Sequence, residues 1–247
     1  MTARADTIAL ARPVPYLMQV GETQELSAPL RYGPIGALVP VTEAGSTVTI
    51  TRPDGSDLVS DAPVTVTSSI ATYSVSPAAS ETLGRGWTVT WSLIVDGQTY
   101  TFRESAYLCQ YYPHNVVSVA DLYTEVPDLA YNVPQAQGDS GTGVGWQPQV
   151  DQAYYDFIRR LIDNGRPVWL LREHTTGVRE WILSRGLQRC VTTIPRKEGS
   201  TWAAAEKTAY FRMQAANAGL RLQYDDEDSG IRRGGSPVIR LAPFGRW

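Results

Sequence analysis

Between Trp87 and Val95 the chain alternates without a break. Trp87, Val89, Trp91, Leu93 and Val95 fall on one side, Thr88, Thr90 and Ser92 on the other. Successive side chains of an extended strand point to opposite faces, so this pattern specifies a β-strand with one buried and one wet face. Asp96 and Gly97 follow directly. Both residues tolerate the positive φ of a two-residue hairpin turn, and Tyr100 and Phe102 mark the strand that returns from it. Upstream, Ser46 to Thr51 (STVTIT) alternates too and ends at Pro53-Asp54-Gly55, a second turn. Pro63 to Val75 (PVTVTSSIATYSV) predicts one more strand, bent along its length.

From about Pro13 to Tyr112 the sequence is rich in Thr, Val, Ser and Tyr, with turn signals at short intervals. Several short strands in such a stretch predict an antiparallel β-sandwich. Its architecture resembles the immunoglobulin-like type, without the paired cysteines of antibody domains. After Pro113 the apolar period changes to that of helices. Ser118 can cap a short helix through Asp121, Leu122 and Tyr123 that ends near Pro127. Gln147 to Asn164 carries one stripe of Val150, Tyr154, Phe157, Ile158, Leu161 and Ile162, with Gly165 where a C-terminal cap belongs. Val168 to Leu171 (VWLL) fits a strand or a buried helix equally well. Thr176 to Ile194 predicts a third helix with Val178, Ile182, Cys190 and Ile194 in one row, stopped by Pro195. A fourth begins at Ser200 and runs to about Leu222, with Trp202, Ala205, Ala209, Met213, Ala216 and Leu220 on one side.

The expected fold class is therefore α+β and multidomain. Residues 1–113 form a β-sandwich, 114–228 a small helical bundle, and 229–247 an extended C-terminal arm. At 247 residues with 43% hydrophobic and 19% charged, the chain can bury a core in each half. A net charge of -3 gives it no bulk attraction to nucleic acid or to an anionic membrane. No apolar run approaches the roughly 20 residues of a membrane span, and the charged, proline-broken start lacks a signal peptide's apolar core. The two cysteines, Cys109 and Cys190, lie far apart and read as reduced, buried thiols in a soluble protein of a reducing compartment.

Gly138-Asp139-Ser140-Gly141 spells the way chymotrypsin-type proteases present their nucleophile. That mechanism needs a histidine to take the serine proton and an aspartate to orient the histidine. The chain's two histidines, His114 and His174, belong to the helical half, and Thr142 stands where the protease motif continues with glycine. The stretch reads as a glycine-rich loop, and no enzyme is expected. Neither nucleotide-binding fingerprint fits these glycines, since no strand precedes them and no P-loop lysine follows. Isolated His and Cys residues offer no zinc spacing. The acids of Tyr224 to Gly230 (YDDEDSG) fail as an EF-hand, whose twelfth position would be Pro237. No cofactor and no metal are expected.

The segment from Ser229 to Trp247 has Arg232, Arg233, Arg240 and Arg246 and no acid. It also carries Val238, Ile239, Leu241, Phe244 and Trp247, cut by Gly and Pro so that no helix can form. Apolar anchors on an extended basic arm suit docking into a partner's groove or along a sheet edge. The other reading is an arm folded back on its own domain.

The segment ADLYTEVPDLAYNVP, followed by WQPQVDQAYYDFIRRLIDNGRPVWLL, resembles the head–tail adaptor (connector) proteins of tailed bacteriophages and gene transfer agents. In that family a short helix with an aspartate and a tyrosine leads to a loop, a QPQ-V/I-D start opens a long helix, and the last helix ends in Y-D-x-D acids. Asp121, Tyr123, Gln147 to Asp151 and Tyr224 to Asp228 hold those positions here, so the resemblance spans about residues 118 to 230. It implies a ring-forming structural protein of the virion neck, made in the host cytoplasm, that joins the portal vertex to the tail. Its implied partners are the portal protein, a tail-side neck or stopper protein and its own copies, usually in a twelvefold ring. Genomic DNA would pass through the lumen without sequence recognition. The C-terminal arm would reach the portal. The sandwich departs from the minimal family pattern. Its alternative role is a surface-binding module for carbohydrate or a host surface, on which Trp87 and Trp91 would stack sugars unless, as their alternation predicts, they are core.

Overall fold

The structure, a computed structural model, describes residues 8–11, 14–33, 37–112, 115–131, 145–171, 177–194, 202–220 and 222. The chain divides into two compact units. The first comprises residues 1–112 together with Val168–Leu170, the second residues 113–167 and 171–247.

The described residues of the first unit form nine strands: β1 (Ile8–Leu10), β2 (Tyr16–Gln19), β3 (Gln24–Tyr32), β4 (Thr42–Thr51), β5 (Asp57–Pro63), β6 (Thr65–Thr67), β7 (Ile70–Val75), β8 (Gly84–Val95) and β9 (Gln98–Cys109). They form two sheets, ordered β1-β3-β7-β6 and β2-β9-β8-β4-β5. Inward residues of both sheets close one core, with Leu26, Ala28, Leu30, Ala71 and Val75 on one side and Val48, Ile50, Trp87, Val89, Trp91 and Leu93 on the other. Asp96 and Gly97 take positive φ, 49° and 74°, and close the β8–β9 hairpin as their sequence predicts.

Three expectations need correction. The sandwich is not wholly antiparallel. After β1 pairs with β3, the chain crosses to the other sheet, where β2 runs parallel to β9 with Tyr16 opposite Ala106. Pro63 to Val75 is not one bent strand. It closes β5, passes through the short β6, then turns at Ser68 and Ser69, both at positive φ (51° and 68°), into β7. Val168 to Leu171 is no strand and no full helix of the bundle, only a short buried 3-10 helix. Val168–Leu170 is a 3-10 turn, and it packs in the first unit. There Trp169 stacks on Tyr107 of β9 (5.8 Å between ring centroids, 6° between planes), and its carbonyl accepts the Gln110 amide at 2.8 Å.

The second unit holds α1 (Val119–Glu125), a 3-10 turn at Pro127–Ala130, α2 (Gln147–Asp163), α3 (Val178–Thr193) and α4 (Trp202–Gly219). Ser118 caps α1 in a reciprocal box with Asp121, each side chain answering the other's backbone N–H. Gly165 follows α2 at φ 64°, the left-handed conformation a C-terminal stop requires. The buried row of α2 is Val150, Ala153, Tyr154, Phe157, Ile158 and Leu161, and α3 buries Trp181, Ile182, Leu183, Leu187, Cys190 and Val191. Gly186 sits in the middle of α3 with room for a side-chain carbon. A Cβ there would lie 3.5 Å from Leu122 of α1 and 3.9 Å from Ala153 of α2.

Candidate functional site

Many of the described polar side chains of the second unit tie helix to helix. Asp121 accepts hydrogen bonds from the Ser118 amide and hydroxyl and from Arg179 of α3 (2.5 Å). The Ser118 bonds come first in holding its carboxyl below the usual range, with Arg179 adding to them. Arg212 of α4 reaches Glu180 of α3 (2.7 Å) and Glu125 at the end of α1 (2.5 Å). Its guanidinium lowers the pKa of both acids, and they raise its own. On the α2–α3 seam Asp156 takes Arg189 through two nitrogens and Arg185 through one, at 2.7 to 3.0 Å. Beneath them Arg160 and the Trp181 indole both donate to Asn217 of α4 (2.5 and 2.8 Å), with the Arg160 guanidinium 5.6 Å from the Trp181 ring centre. These groups fix a bundle. None is arranged as a nucleophile beside a base.

The motif residues behind the family resemblance serve helix starts. Asp121 is the third residue of α1 and completes its cap. Gln147 opens α2 and donates its side-chain amide to Asp151 at 2.8 Å, one turn on. Tyr123 is half-buried, and Val150 enters the core. Tyr224 to Asp228 lie outside the described residues. So do Ser140, His114 and His174, and every residue of the proposed docking arm: Arg232, Arg233, Val238, Ile239, Arg240, Leu241, Phe244, Arg246 and Trp247.

Trp87 and Trp91 are 1% and 0% exposed, so neither offers a ring to a sugar. Cys109 and Cys190 are free and buried, and burial pushes each thiol up to about 12, far from a reactive thiolate at neutral pH. Among the described residues, no three His, Cys, Asp or Glu side chains stand close enough to hold a metal ion. No described helix is long and apolar enough to cross a membrane.

What the sequence reading missed is an exposed aromatic pair on α4. Ala209, Met213, Ala216 and Leu220 face inward, while Tyr210 and Phe211 on the opposite side remain 49% and 55% exposed. Their rings meet edge to face at 5.9 Å. Lys207 lies 6.0 Å over Phe211, and the Gln214 amide donates to the Tyr210 hydroxyl at 2.7 Å. The available signal was the helix's composition. Apolar residues surround α4 on all sides, as in helices that are covered all round.

No family model matches the chain, and no curated protein matches it in sequence. Among solved structures it is similar to the Lin-41 filamin domain, at 14% identity over 43% of this chain and 96% of that one, with a TM-score of 0.30. It is also similar to trypsin-activated α2-macroglobulin from Escherichia coli, at 18% identity over 44% of this chain but only 7% of that one, with a TM-score of 0.30. An ICAM-5 ectodomain fragment matches at 20% identity over 44% of this chain and 25% of that one, with a TM-score of 0.23. Scores this low assign no family.

Proposed function

We propose that this chain is a structural adaptor of a tailed-phage or related particle, joining the portal vertex to the tail as a ring-forming subunit of the virion neck. The observation that carries this reading is the position of the adaptor-like motifs. Asp121 completes the cap of one helix, and Gln147 to Asp151 open another, within one helical unit braced by Arg–carboxylate pairs. On this reading the portal, a tail-side neck protein and further copies of the chain are its partners, DNA passes without sequence readout, and residues 229–247 dock on the portal. The work is assembly by shape and by anchors. The test is co-purification with the portal protein encoded beside it, with and without residues 229–247, the mass of each complex being read by light scattering. A ring-sized complex that vanishes with the arm supports the adaptor. A chain indifferent to the portal in both forms overturns it.

In the same reading the first unit is an immunoglobulin-like module, since one edge strand switches sheets to pair parallel with the last strand, β9. A second role, surface binding by this module, is favoured by one feature. Across β4, β8 and β9 the outward residues form three rows: Thr51–Thr88–Ser105, Thr49–Thr90–Arg103 and Thr47–Ser92–Thr101. Binding of the full chain to glycans or host cells, lost on Thr90→Tyr, would support that role in place of the adaptor.

A further inference from the structure

We propose that the outward face of α4 pairs with the same face of a second copy, antiparallel and about a two-fold axis near Gln214. This stands on the helix itself and not on the adaptor reading. The exposed stripe runs Lys207, Thr208, Tyr210, Phe211, Gln214, Ala215, Ala218 and Gly219. Its N-terminal half is bulky and its C-terminal half is small. A two-fold across the middle lays Phe211 of each copy over Ala215 and Ala218 of the other, so that large side chains meet small ones and the helices approach closely. A Cβ placed on Gly219 would meet nothing within 4 Å, so the small end is open.

Charge favours the same orientation. Lys207 and Gly219 lie about 18 Å apart along the helix. An antiparallel partner brings each Lys207 to the other copy's C-terminal end, where the helix dipole is negative. A parallel pair would set Lys207 against Lys207. Tyr and Phe are enriched at protein interfaces relative to the rest of the surface. Because a two-fold contact closes on itself, the pair is a dimer contact and not the repeating contact of a ring.

The test is sedimentation of the full chain over a concentration series up to about 0.1 mM, a range in which a modest interface is populated. A reversible dimer is expected. Phe211→Asp and Ala215→Arg should each weaken it by about tenfold or more. Tyr131→Ser, at an exposed aromatic outside α4, should leave it unchanged. Unaltered circular dichroism keeps any loss distinct from unfolding. Gln214→Cys should link to its own copy under mild oxidation, against little background from the buried native thiols. A monomer throughout, a dimer or ring indifferent to Phe211→Asp, or failure of Gln214→Cys to link would each overturn the proposal. Should portal co-purification, and not self-association, be lost on Phe211→Asp, the face belongs to the portal and the self-pair is wrong.

Discussion

The indole N–H of Trp91 donates to the hydroxyl of Tyr16 at 2.9 Å, and that hydroxyl donates to the Ser27 carbonyl at 2.8 Å. One chain of hydrogen bonds thus runs through the core from β8 through β2 to β3, joining the two sheets across a largely apolar interior. It also fixes the sheet switch, since Tyr16 begins the strand that has just crossed from one sheet to the other.

Tyr16→Phe removes the partner of a buried indole N–H while leaving the ring in place. The expected loss is about 1–3 kcal/mol, because the cost is that of leaving a donor unsatisfied and not merely of losing one bond. Equilibrium urea denaturation of the full chain, followed at the tryptophans, measures it. A loss below a few tenths would show that the bond does not hold the switch.

The Ser68-Ser69 turn is strained where the Asp96-Gly97 turn is not. Both serines take φ values that favour glycine and asparagine. Ser68→Asn with Ser69→Gly should therefore stabilise the first unit, by roughly 0.5–1 kcal/mol. An unchanged or lowered midpoint in the same denaturation series would contradict this.

The two turns show what was legible in the sequence. Asp-Gly announces a hairpin. Ser-Ser does not, so β6 and β7 merged into one bent strand. Pro29, at an outward position between the buried Ala28 and Leu30, disguises β3 because proline is depleted in strands, and Asp57 and Asp61 mask the edge strand β5. Trp169 could not be placed from sequence because its setting is tertiary: Tyr107, which it stacks on, is distant in the chain. The helices were clear because each buries one row. α4 was read through that row alone, and Tyr210 and Phe211, on its other side, passed unnoticed.

Gly186 is a glycine that no close contact requires. Its φ is helical, and an added Cβ would rest at ordinary contact distance from Leu122 and Ala153. Gly186→Ala should raise stability by about 0.5–1 kcal/mol through helix propensity. Gly186→Leu should lower it, since the further carbons must displace Leu122 or Ala153. Gly177, at φ 84° with the Gly219 carbonyl 3.2 Å from a Cβ placed on it, should reject alanine in the same assay. A destabilised Gly186→Ala would mean that α1 sits closer to α3 than the structure places it.

Arg212 couples α1, α3 and α4 through Glu125 and Glu180, and its charge depresses both carboxyls. Since their folded values lie below the unfolded ones, the pairs stabilise the bundle fully above the ordinary carboxylate range of roughly 4. That contribution is lost as pH falls through the lowered folded values. Asp121, depressed first by Ser118 and then by Arg179, behaves with the same sign. All three acids are partly open to solvent. Screening therefore keeps the Arg212 contribution small, on the order of 1 kcal/mol at low salt, and smaller still in 0.5 M salt. Arg212→Met retains most of the packing and removes the charge. Its thermal midpoint should fall below that of the parent at pH 7 and converge with it towards pH 3, as the acids protonate in both proteins. A gap that persists undiminished at pH 3 would assign the effect to the Arg212 stem and not to its charge.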